Sequence, residues 1–67
     1  MPAKYIVVQR TGFAPYFLSA WRDDVDGWDS ARVRALQFEA PQARRIAALL
    51  NARRPSAPFR ILVEEAP

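Results

Sequence analysis

Apolar residues along this chain fall into two patterns, dense β-branched and aromatic blocks and one stripe at helical spacing. Lys4 to Arg10 (KYIVVQR) and Tyr16 to Arg22 (YFLSAWR) are blocks of the first kind and predict two strands. Between them, Thr11-Gly12-Phe13-Ala14-Pro15 carries Gly and Pro, which break strand pairing and turn the chain, so the pair reads as a hairpin. Asp23 to Ser30 (DDVDGWDS) follows as an acidic loop of turn formers, where Asp29 or Ser30 could cap a short helical turn. In residues 31–38, Val33, Leu36 and Phe38 fit either a helical turn leading into a strand or a strand throughout, and a short third strand is expected around Ala35 to Phe38.

Ala43, Ile46, Ala47 and Leu50 recur at i, i+3, i+4 and i+7, the apolar stripe of a helix. Pro41 suits its first position, where a missing N–H costs nothing. Gln42, Arg44, Arg45 and Ala48 take the other side, and Pro55 and Pro58 stop the helix. Phe59 to Glu65 (FRILVEE) then alternates as a last strand.

The order β-β-(β)-α-β predicts one small α+β domain over residues 1–67, a sheet of three or four strands with a single helix on one face. A right-handed crossover through the helix would give the strand order 3-2-1-4.

Four strands make a sheet about 15 Å wide, and a helix ~10–12 Å across covers one face incompletely. If Ile6, Val8, Leu18, Ile61 and Val63 face the helix, then Tyr5, Val7, Phe17, Trp21 and Leu62 point away, and the opposite register exchanges the sets. One face is overstocked. Either Trp28 and residues 23–34 fold back over it, or it is a contact surface for a partner or a second copy. On the second reading Trp21, Trp28, Tyr5 and Phe17 are the contact residues.

The arrangement Tyr5-x-Val7, Tyr16-x-Leu18, Trp21, Ala35-x-x-Phe38, Ala43 and Ile61-x-Val63 resembles the small ββαβ proteins encoded by phages and prophages. That resemblance implies a binding or inhibitory accessory protein acting on a host component, and it carries over no functional residue.

Composition narrows the chemistry. With 67 residues and neither cysteine nor histidine, disulfides and the thiolate and imidazole ligands of structural zinc are excluded. The same absences remove the usual general base and the strongest nucleophile, so no catalysis and no cofactor is expected. Asp24-Val25-Asp26-Gly27 matches the middle of a calcium loop. Arg22 and Val33 stand where its end ligands belong, however, so no metal site is expected. No apolar run nears the ~20 residues of a membrane span, and the short Tyr5–Val8 stretch is no signal peptide, leaving the cytoplasm as the default location.

The net charge is +3, and nine of ten cations are arginine. Arg44, Arg45, Arg53 and Arg54 could track phosphates, which keeps a small nucleic-acid-binding protein as the alternative. The leading expectation is a non-catalytic protein-interaction module with a protein partner or a second copy.

Overall fold

The computed structural model describes residues 3–12, 14–56 and 60–66. Phe13 of the predicted turn, and Pro58 and Phe59 of the predicted break and last strand, lie outside them. The elements are β1 (Tyr5–Arg10), β2 (Tyr16–Arg22), β3 (Val25–Asp29), a 3-10 turn (Arg32–Arg34), α1 (Ala40–Arg53) and β4 (Arg60–Glu65). The strands form one antiparallel sheet in the order β3-β2-β1-β4, with a single helix, an α+β fold.

The expected order 3-2-1-4 is present, but the third strand is Val25–Asp29 rather than Ala35 to Phe38. Two aspartates explain the shift. Asp23 and Asp24 both have positive φ (53° and 61°) between the paired residues Arg22 and Val25. A two-residue loop with both φ positive matches the twist of a hairpin, and Asp enters the left-handed region more readily than most side chains. The acidic stretch therefore folds straight back along β2.

Residues 36–38 act as a wedge instead of a strand. β1 and β2 pair directly only at Val8↔Phe17 and Gln9↔Tyr16. Beyond that they splay, and the 36–38 backbone fills the gap. Leu36 N–H donates to the Leu18 carbonyl at 2.9 Å, and Tyr5 and Phe38 exchange two bonds of 2.8 Å. Through this gap the chain passes from the open face of the sheet to the helix face.

A second local irregularity decides which side chains share a face. Leu18 pairs with Trp28 and Ala20 with Gly27, so Ser19 is an extra residue, a β-bulge. Leu18 and Trp21, three apart, thereby both join the helix-side core. That core comprises Val7, Leu18, Phe38, Ala43, Ile46, Ala47, Leu50 and Ile61, with Tyr5, Trp21, Trp28, Leu36 and Val63 packed around it. All four stripe residues of the helix are in it.

Ile6, Val8 and Phe17 form a separate cluster on the other face. The expected grouping of Ile6 and Val8 with Ile61 and Val63 is thus corrected. The register Val7↔Val63 and Val8↔Leu62 puts Val7 with the helix set. The open face is closed by residues 31–35, with Ala35 packed on the cluster and the Arg32 guanidinium 5.6 Å from the centre of the Phe17 ring. Trp28 takes no part in that closure and lies on the helix side.

Candidate functional site

α1 packs on β4 and β1, which leaves the helix side of the β2–β3 hairpin flanked by the helix rather than roofed by it. Two neighbouring hollows lie along this flank, linked by Arg53, and are called the groove below. The larger part, about 480 Å³ and open to solvent, is lined by Trp21 and Asp24 from the hairpin and by Gln42, Arg45, Ile46 and Leu49 from the helix. These helical positions follow the i, i+3, i+4, i+7 rule, so they form one stripe beside the buried one. The smaller part, about 120 Å³, lies at the helix C-terminus between Trp28, Asp26, Gln9 and Ile61 on the sheet and Leu50, Arg53 and Arg54 on the helix.

Arg53 stands between the two parts. Its Nη1 donates to the Asp24 carbonyl at 2.8 Å and lies 4.0 Å from the Asp26 carboxylate, and its guanidinium carbon is 5.9 Å from the Trp21 ring centre. Asp26 also accepts a hydrogen bond from the Trp28 indole N–H. The hairpin wall is therefore acidic and aromatic, and the helix wall is basic.

The structure brings together residues that the sequence assigned to two different readings. Trp21 and Trp28 line the groove with Arg45, Arg53 and Arg54. Arg44 is exposed outside it. Tyr5 lies against the helix-side core beside Phe38. Phe17 is only 5% exposed under Arg32 and Ala35, a core ring rather than a contact surface.

On the open face, Glu64 of β4 accepts from Arg10 through Nε at 3.0 Å and through Nη2, and lies 3.4 Å from Arg32 Nη1. Burial works to raise the Glu64 pKa. The hydrogen bonds and charges of Arg10 and then Arg32 outweigh it, so the carboxyl sits below its ordinary range.

The remaining aspartates have local roles. Asp29 accepts the Ala31 N–H at 2.7 Å, as a turn-forming aspartate does. Among the described residues no three His, Cys, Asp or Glu side chains converge as a metal site, and no helix is long and apolar enough to cross a membrane.

The sequence reading placed Arg53 only in the phosphate-tracking set and missed its seat, which is built from residues 27 or more positions away, and it missed Asn51 altogether. Asn51 donates to the Ile61 carbonyl at 2.9 Å and accepts from the Ile61 N–H at 3.1 Å, closing part of the β4 rim. Neither has a local pattern that announces it. No family model, no curated protein and no solved structure matches the chain.

Proposed function

We propose that this protein is a non-catalytic interaction module that holds a segment of a partner protein in the groove between α1 and the β2–β3 hairpin. The observation that carries the reading is the pair of hollows of mixed charge along this flank, one lined by Trp21 with Ile46 and Leu49 and the other by Trp28, with Arg53 between them. Tryptophan supplies much of the binding energy in protein interfaces. The signs of charge favour a polypeptide over a nucleic acid. Asp24 and Asp26 stand in the groove with Arg45, Arg53 and Arg54, and phosphates entering it would meet both carboxylates.

A displayed random-peptide library panned against the intact chain tests the reading. Enriched peptides are expected to lose at least about tenfold in affinity, about 1.4 kcal/mol, on Leu49→Asp. Val33→Asp should leave them unaffected, because Val33 is 91% exposed and outside the groove. No enrichment, or equal losses with both variants, would sink the proposal. Salt-sensitive oligonucleotide binding that depends on Arg44, Arg45, Arg53 and Arg54 would replace it with the nucleic-acid reading.

A further inference from the structure

Three groups converge on the Arg53 side chain from the hairpin: the Trp21 ring face, the Asp24 carbonyl and the Asp26 carboxylate. An aromatic face, a neutral acceptor and an anion around a planar cation form a recognition site for a guanidinium group. Such a group stacks on rings and donates in a fixed fork, which a lysine ammonium cannot reproduce. In the free protein the occupant is the chain's own last helical residue, and its side chain is 39% exposed. It is held at a surface, where single ion pairs contribute about 0–1 kcal/mol. Its seat also lies between the two hollows, lining one and touching Trp21 and Asp24 of the other.

We infer that the groove binds an arginine side chain of its protein partner, and that Arg53 is a resident occupant which the incoming arginine displaces. An arginine-bearing segment laid along the groove would set its guanidinium between Trp21, Asp24 and Asp26, with flanking apolar residues against Leu49 on one side and Trp28 on the other. Arg53, released, swings toward solvent, joining Arg45 and Arg54 on the basic helix wall, where acidic residues of the same segment find partners. An extended segment presents alternate side chains to opposite sides, which suits a groove whose two walls differ in sign. The inference rests on the groove reading above and specifies the chemistry of its ligand.

The test titrates the intact chain with N-acetyl-arginine amide and, separately, N-acetyl-lysine amide, following tryptophan fluorescence and the indole N–H resonances. Circular dichroism first establishes that each variant is folded. If Arg53 holds its seat nine-tenths of the time, Arg53→Ala removes the competitor and tightens arginine-amide binding about tenfold over the natural chain. Arg53→Lys, which keeps the stem and charge but not the fork, should move binding in the same direction. Asp26→Asn in the Arg53→Ala background should reverse the gain while keeping an acceptor for the Trp28 indole. Equal arginine-amide binding by Arg53→Ala and the natural chain would overturn the inference. So would lysine amide binding as tightly as arginine amide. The two proposals fail separately. Peptides that depend on Leu49 but contain no required arginine leave the groove standing and remove the arginine seat. Guanidinium uptake by Arg53→Ala without any enriched peptide does the reverse.

Discussion

Gly27 shows how a single missing atom sets the geometry of the hairpin. Its φ is not positive, so conformational freedom is not the reason for glycine here. Space is the reason: a Cβ at this position would lie 2.9 Å from the Ala20 Cβ, its cross-strand partner. Neither atom is the end of a flexible side chain, so relief requires backbone movement next to the Ser19 bulge. Gly27→Ala is expected to lower stability by about 1–3 kcal/mol, the usual cost of overpacking, as read by chemical denaturation. The compensating pair Ala20→Gly with Gly27→Ala should recover part of the loss, and no recovery would show that the clash is not the cause. This residue was invisible in the sequence as a close-contact position. Within Asp23 to Ser30 it looked like one more turn former, because a glycine set opposite an alanine across two strands has no local signature.

Among the elements, the buried stripe of α1 was legible and β3 was not, and the helix begins at Ala40, one residue before the expected Pro41. The helix announced itself because Ala43, Ile46, Ala47 and Leu50 obey one period and are the four positions it buries. β3 has only Val25 and Trp28 among its five residues as large apolar side chains, and its aspartates read as loop chemistry. Such polarity suits an edge strand, where acidic side chains discourage pairing with other chains.

The opposite edge, β4, has an apolar centre at Ile61, Leu62 and Val63 between charged ends and is managed differently. Asn51 of α1 occupies the outward N–H and C=O of Ile61, standing in for a fifth strand at that position. Asn51→Ala is therefore expected to cost about 1–2 kcal/mol through two lost hydrogen bonds, measured as a fall in thermal midpoint. Exchange of the Ile61 amide should accelerate more than that of Val7, which is fully buried between β4 and β2. Equal acceleration at both sites would mean that the asparagine acts on global stability alone.

For the whole molecule, the class of fold follows from the sequence pattern, whereas the place of the third strand and the face assignments do not. Period-two reading fails in β2 because the Ser19 bulge resets the alternation, and a register between β1 and β4 is not encoded in either strand alone. The tie between the closing segment and the sheet was equally hidden, since Glu64 gathers Arg10 and Arg32 from distant parts of the chain. That tie is the point at which acid acts on the whole fold. The Glu64 carboxyl is lower in the folded chain than in the unfolded one. Its contribution is thus present above the ordinary glutamate range, about 4.3, and fades as pH falls through the depressed folded value. Denaturation midpoints should fall on acidification below that range, and Glu64→Gln should flatten this part of the profile. An unchanged profile in Glu64→Gln would assign the acid sensitivity to other carboxylates.

The wedge at residues 36–38 gives this small protein a property that neither of its two cores has separately. The segment that closes the open face continues, through the gap between β1 and β2, into the helix that closes the other. Lifting either cover pulls on the same three residues and strips hydrogen bonds from Tyr5 and Leu18. A chain threaded in this way resists peeling layer by layer. Its two covers come off together, so a damaged helix and a damaged open-face cover should leave the same unfolding trace.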